Sequence, residues 1–276
     1  MLNSRLSNGV ESEVAARKLA VLIDADNAQP SVIEALLAEI ARFGEATVRR
    51  IYGDFTSTRS TQWKQVLNKF SINPIQQFAY TTGKNATDSR LIIDAMDLLH
   101  KGTISGFCLV SSDSDFTGLA SRIREEGLVV YGFGEKKTPE AFRNACNQFV
   151  FTENLTPPTK PANTGSVTRT RKAGSEAAKT HGKKETTPKQ GNVGKGIQVD
   201  FLKEAVEKAS DETGWVQLGS IGSYLRKVKP DFDSRSFGFK NLTELFNAFS
   251  DTFEVEDRAT PQSPNKIIYV RLKEGK

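Results

Sequence analysis

Over the first 155 residues of this 276-residue chain, apolar positions follow two alternating rhythms. Short apolar runs at Lys18 to Ile23, Thr47 to Tyr52, Ile75 to Tyr80, Phe107 to Val110 and Leu128 to Phe133 have the length and composition of buried strands. Between and after them, apolar residues recur three and four apart, the period of a helix with one buried face. These stretches are Pro30 to Phe43, Arg59 to Phe70, Asp88 to His100, Phe116 to Glu126 and Pro139 to Gln148. In the first, Ser31 stands near the start and Gly44 just past the end. In the second, Trp63, Val66, Leu67 and Phe70 share a face, and in the third Leu91, Ile92, Ala95, Leu98 and Leu99 do, with Thr87 placed to cap it. Strand–helix alternation of this regularity predicts an α/β domain whose parallel sheet is sandwiched by helices.

The pattern stops at residue 156. Thr156 to Gly196 is rich in Pro, Thr, Gly and Lys and nearly free of large apolar residues, the composition of a disordered linker. A flexible chain of that length spans roughly 35 Å. Periodicity resumes with an amphipathic helix at Val199 to Ala209 carrying Phe201, Leu202, Ala205 and Val206. A second helix is predicted over Ser220 to Val228 after Trp215-Val216, and a third opening in the run Phe237 to Phe246. Phe253 to Val255 and Ile267 to Val270 read as two strands flanking Pro261 to Asn265. The organisation expected is an N-terminal tail (1–16), an α/β domain (17–155), the linker (156–196) and a small second domain (197–276).

Charge sharpens this division. Residues 1–155 carry 17 Lys and Arg against 18 Asp and Glu, residues 156–196 carry 9 against 2, and residues 197–276 carry 12 against 13. The basic excess therefore lies in the linker, which carries +7 against −1 on either side. The segment reads as a solvated tether that can also hold phosphate backbone through Lys160, Arg169, Arg171, Lys172, Lys183 and Lys184. No apolar run approaches the ~20 residues of a membrane helix. Met1 to Ala16 resembles neither a signal nor a transit peptide, so a cytoplasmic location is the plain reading. Cys108 and Cys146 read as buried thiols rather than a disulfide or metal pair.

Three acidic stations interrupt the first domain: Asp24-Ala25-Asp26-Asn27, Thr87-Asp88, and Ser111-Ser112-Asp113-Ser114-Asp115-Phe116. The first and third follow apolar strands, and the C-terminal ends of parallel strands are where α/β sheets place their sites. Residues two apart point to one side if the backbone stays extended, which would align Asp24 with Asp26 and Asp113 with Asp115. Asp88 and Asp115 each have a structural alternative, complementing a helix dipole. Carboxylates about 4 Å apart repel by roughly 4 kcal/mol at an effective dielectric of 20, so a cluster calls for a cation or raised pKa values. Asp54, after the second strand, is either a fourth contributor or a turn residue. The chain has two histidines, His100 ending a helix and His181 in the linker, which removes Zn sites and Ser–His–Asp triads. There is no Walker A sequence and no Gly-rich dinucleotide loop. Hard oxygen donors favour Mg²⁺ or Mn²⁺, and phosphodiester hydrolysis is the chemistry that remains.

Val21-Leu22-Ile23-Asp24-Ala25-Asp26-Asn27, Thr87-Asp88-Ser89-Arg90-Leu91-Ile92-Ile93-Asp94-Ala95-Met96 and Ser111-Ser112-Asp113-Ser114-Asp115-Phe116 together resemble the NYN family of PIN-like nucleases. The resemblance covers roughly residues 18–155. It implies a PIN-like sheet, a Mg²⁺ or Mn²⁺ site and cleavage of RNA, with an internal cut the expected mode. By position, it implies Asp24, Asp88 and Asp113 as the metal-site carboxylates, Asp115 as a further member and Asn27 as a hydrogen-bonding support. Ser112 stands where many members have Gly. The family also contains members without demonstrated activity and domains that pair, so a non-catalytic adaptor and a homodimer stay open.

Residues 197–273 resemble an OST-HTH/LOTUS domain, a winged helix-turn-helix, through the three helices and the strand pair above. That resemblance implies RNA binding and protein contacts. Lys227, Lys229, Arg235 and Lys240 are the candidate RNA contacts on it, while the rings of Phe237, Phe239, Phe246, Phe249 and Phe253 read mainly as core. Its slight negative charge argues against strong non-specific binding. A rival enzyme reading, a haloacid-dehalogenase-type phosphatase, rests on Asp24-Ala25-Asp26. It lacks the Thr or Ser expected after that motif, since Asn27-Ala28-Gln29 follow.

Overall fold

A computed structural model describes residues 17–56, 61–78, 86–155, 197–260 and 263–273. The chain divides into two compact units. The first is built from β1 (Lys18–Asp24), α1 (Ile33–Ile40), β2 (Glu45–Gly53), α2 (Thr61–Lys69), β3 (Asn73–Gln76), α3 (Ala86–His100), β4 (Gly106–Val110), α4 (Thr117–Glu125), β5 (Val129–Gly134), α5 (Glu140–Ala145) and β6 (Gln148–Phe151). All six strands are parallel, in the order β3-β2-β1-β4-β5-β6. The chain works outward from β1 to β3, returns to the other side of β1 with β4, and works outward again. The strand order therefore reverses between β1 and β4, where open α/β sheets form their binding crevice.

Alternate side chains of the central strands serve two cores. Leu19, Val21 and Ile23 of β1 pack with Ile33, Leu36 and Ile40 of α1 and Trp63 of α2. Ala20 and Leu22 face the opposite side, with Leu91, Ala95, Leu98 and Leu99 of α3 and with Leu119, Ala120 and Ile123 of α4. Every residue of β4 is buried. Each fully buried Val, Ile, Leu or Phe contributes ~1.5–3 kcal/mol, so the continuous apolar runs hold the sheet from both faces.

Several sequence expectations shift. Helix α3 already includes Ala86, so Thr87 lies inside the helix and does not cap it. Strand β3 begins at Asn73 and ends at Gln76 instead of spanning Ile75 to Tyr80, and residues 79–80 lie outside the described residues. Pro74 is tolerated because β3 is an edge strand. The predicted helix Pro139 to Gln148 ends at Ala145, where Cys146 turns extended at φ −87° and ψ 157°. A sixth strand follows, with Phe149, Val150 and Phe151 buried. Phe142, Cys146 and Phe149 happen to fall at helical spacing, which concealed it. Cys108 and Cys146 are buried free thiols.

The second unit contains α6 (Val199–Ala209), β7 (Val216–Gln217), α8 (Leu242–Ala248), β8 (Phe253–Thr260) and β9 (Ser263–Leu272), and α7 (Leu218–Val228) begins in it, while residues Ser223–Phe232 belong to the first unit. The second unit has an antiparallel sheet in the order β7-β9-β8. Leu202, Val206, Ile221, Leu245, Phe246, Phe253 and Val270 are buried within it. The third helix starts later than the Phe237 run suggests. A 3₁₀ turn over Ser234–Phe237 ends at Gly238, whose φ of 88° is left-handed, and Asn241 then caps α8 by accepting the Glu244 N–H at 2.8 Å. Phe239, Phe246 and Phe253 are core residues, as expected, the last two packed edge to face with centroids 4.9 Å apart. Among the described residues no helix is long and apolar enough to cross a membrane.

Candidate metal centre

Asp24 is the last residue of β1 and is fully buried. The chain leaves the strand there in a turn closed by the Ala28 N–H on the Asp24 carbonyl at 2.9 Å. The extended backbone that would have aligned Asp26 with Asp24 is lost, and Asp26 points outward as an exposed residue. Asp24 Oδ1 accepts the Asp26 N–H at 3.0 Å, and Oδ2 accepts both the Asn27 amide and the Ser111 hydroxyl at 2.8 Å.

Ser111 follows β4 directly and couples two stations. While donating to Asp24, its oxygen accepts the Asp113 N–H at 3.0 Å. Asp113 in turn caps the short 3₁₀ turn Ser114–Phe116, its Oδ1 accepting the Asp115 N–H at 2.9 Å. Ser111 was not singled out from the sequence, where only its place beside the acids marks it. Ser112 accepts the Glu135 N–H at 2.9 Å, fixing the same loop against the end of β5.

Asp88 sits in the first turn of α3. Asp88, Asp113 and Asp115 each present a carboxylate oxygen, and these lie within 4.8 Å of one another. Asp24 is not a member of that trio, but its charge is felt there. Burial pushes the Asp88 carboxyl up to about 6, reinforced by the charges of Asp24, Asp113, Asp115 and Asp26. Asp24 is also raised, by burial first, against which the bonds from Asn27, Ser111 and the Asp26 N–H pull. Three separate stretches of chain thus bring negative charge to one spot, two of them supplying the oxygens of the trio. Oxygens sharing an octahedral ion at 2.0–2.1 Å lie about 3–4 Å apart, so a modest closure of the trio fits Mg²⁺ or Mn²⁺.

Other expected residues fall elsewhere. Asp54 binds its own turn, accepting the Thr56 N–H at 3.0 Å and the Gln76 amide at 2.8 Å. Lys227, Lys229 and Lys240 are exposed, in and after the last turn of α7 and just before α8. Arg235 folds back on Asp233, with Nη2 to Oδ2 at 2.7 Å, so much of its donor capacity is already used. Lys172, Lys183 and Lys184, with the rest of 156–196, lie outside the described residues, as does the tail 1–16.

The family model for the NYN domain matches residues 18–153, and that for the OST-HTH/LOTUS domain matches residues 198–264. Among curated proteins, none matches the chain. Similar solved structures include a solution NMR structure of an uncharacterized protein from Nitrosomonas europaea, 34% identical over 36% of this chain and 95% of that one, with a TM-score of 0.30. Another is the crystal structure of a protein of unknown function from Vibrio parahaemolyticus, 18% identical over 49% of this chain and 93% of that one, with a TM-score of 0.42.

Proposed function

For this chain, an NYN domain followed by an OST-HTH/LOTUS domain, we propose the activity of a metal-dependent ribonuclease that cuts RNA internally. NYN is a nuclease-type domain and LOTUS a domain of RNA binding, which supports a reading in which one part of the chain cuts and another holds. The observation that supports the reading most is the meeting of Asp88, Asp113 and Asp115 oxygens within 4.8 Å at the sheet's reversal point.

In this reading Asp88 and Asp113, with Asp115 beside them, supply oxygens to Mg²⁺ or Mn²⁺. Asp24 acts beside them as a buried negative charge whose orientation Asn27 and Ser111 hold. A divalent ion bound there offsets the charge of a phosphodiester and lowers the pKa of a water. The protein's own part is to collect four carboxylates whose mutual repulsion only a cation relieves. Lys227, Lys229 and Lys240 of the second domain, with Lys172, Lys183 and Lys184 of the linker, retain the RNA through its phosphates. Asp24 is fully buried with both oxygens already bonded, which does not suit the attacking carboxylate of a dehalogenase-type phosphatase.

Incubating labelled single-stranded RNA with Mn²⁺ and the full chain, beside an Asp113→Asn variant, tests the proposal. The wild-type protein is expected to cut within the strand, and the variant to bind equally but cleave at least ~100-fold more slowly. Binding without cleavage by both would leave an RNA-binding adaptor.

A further inference from the structure

Tyr52 and Asp94 lie outside the carboxylate trio, yet they join the elements around it. Asp94 follows Asp88 on α3 by six residues, about 9 Å along the helix axis. It is 5% exposed, on a helix whose neighbouring residues Leu91, Ala95, Leu98 and Leu99 are core. Taking a lone carboxylate into such surroundings costs several kcal/mol. Three groups compensate it. The Tyr52 hydroxyl donates to Oδ2 at 3.0 Å, Arg50 Nη1 donates to the same oxygen at 2.9 Å, and Arg90 Nη2 lies 3.4 Å from Oδ1.

The main chain of Tyr52 engages a different element, β1. Its Cα is paired with that of Asp24, and its carbonyl accepts the Ala25 N–H at 2.9 Å. One residue therefore grips the end of the Asp24 strand through its backbone and the Asp88 helix through its phenol. Packing alone does not require this arrangement, because buried ionic clusters are often replaced by apolar residues without loss of stability. A directional bond does supply register. Slipping α3 by one residue would move Asp88 by about 1.5 Å and turn it by about 100°. That is enough to take its oxygen away from Asp113 and Asp115.

We propose that Tyr52 and Asp94 are positioning residues that hold α3 in register with β2, so that Asp88 meets Asp113 and Asp115 on the cation. The inference rests on the metal-site reading above. Neither residue belongs to the carboxylate trio, and both act through the placement of Asp88.

Mn²⁺ alone, titrated calorimetrically into the full chain, is the probe, with thermal unfolding measured in parallel on the metal-free proteins. Tyr52→Phe keeps the ring and removes one bond, and is expected to weaken Mn²⁺ binding about tenfold. Asp94→Asn is expected to weaken it at least as much. Leu99→Ala, a cavity at the far end of α3, is the control: it lowers the unfolding temperature and leaves Mn²⁺ affinity unchanged. If wild type and Tyr52→Phe bind Mn²⁺ equally, the positioning role is overturned whatever Asp94→Asn does. An equal loss in Tyr52→Phe and Leu99→Ala also overturns it, since general loosening of the helix would then suffice. A wild-type chain that binds no Mn²⁺ instead overturns the metal-site reading, and the positioning role with it.

Discussion

Asp88 carries the clearest conflict of any single residue. Its folded carboxyl is raised to about 6 from an ordinary 3.8 because burial and four neighbouring carboxylates disfavour its charge. The sign follows directly. Below the ordinary pKa the carboxyl is neutral in both folded and unfolded chains, and the conflict vanishes. As pH rises through 6, the folded state must accept the charge and loses stability. After discounting for partial exposure, this amounts to ~1 kcal/mol at neutral pH. Asp88→Asn should therefore stabilise the metal-free protein by about that much at pH 7.5 and by almost nothing below pH 4, measured by chemical denaturation. Mn²⁺ should raise the unfolding temperature of the wild type more than that of the variant. The acids themselves were legible in the sequence because they interrupt apolar runs. Ser111 was not, since a serine beside two aspartates carries no sign that its hydroxyl will span from Asp113 to Asp24, 87 residues away.

At the scale of elements, what matters is how closely the ends of β4 and β5 approach. A Cβ built on Gly134 would come within 2.5 Å of the Ser111 carbonyl and 2.7 Å of the Thr138 hydroxyl. Gly134→Ala must therefore push the Ser111 loop aside. It should cost ~1–3 kcal/mol in stability and also weaken Mn²⁺ binding, because Asp113 and Asp115 ride on that loop. Unchanged Mn²⁺ affinity in a destabilised Gly134→Ala protein would show that the loop absorbs the shift. The strands and helices were mostly legible from periodicity. The exceptions are ends and edges: β6 was hidden by apolar residues that also fit a helix, and the start of α8 by the left-handed turn at Gly238.

For the whole molecule, the unequal spread of charge is the governing fact. The domain with the acids has no positive excess of its own, and the second domain has none either, while residues 156–196 carry +7. Affinity for RNA should accordingly depend on the linker. Replacing Lys172, Lys183 and Lys184 by Gln is expected to flatten the dependence of log affinity on log salt by up to ~2, at about 0.7 per phosphate contact on single strands. Cleavage of saturating RNA should be little changed. A salt slope that stays the same would transfer RNA retention to the second domain, and Lys227, Lys229 and Lys240 would then be the residues to replace.

Length, charge spacing and periodicity are properties of neighbours in the chain, so the sequence by itself determined the α/β class, the two folded regions and the identity of the acids. Convergence is a property of topology. Only the strand order, reversing between β1 and β4, makes neighbours of Asp24 and Ser111. Only the seating of α3 on the sheet brings Asp88 to Asp113 and Asp115 while Asp26 and Asp54, equally acidic and equally close to strand ends, turn away. A carboxylate's pKa and its capacity to hold a cation depend on distances between such remote residues. Local sequence has no term for those distances, and packing sets them.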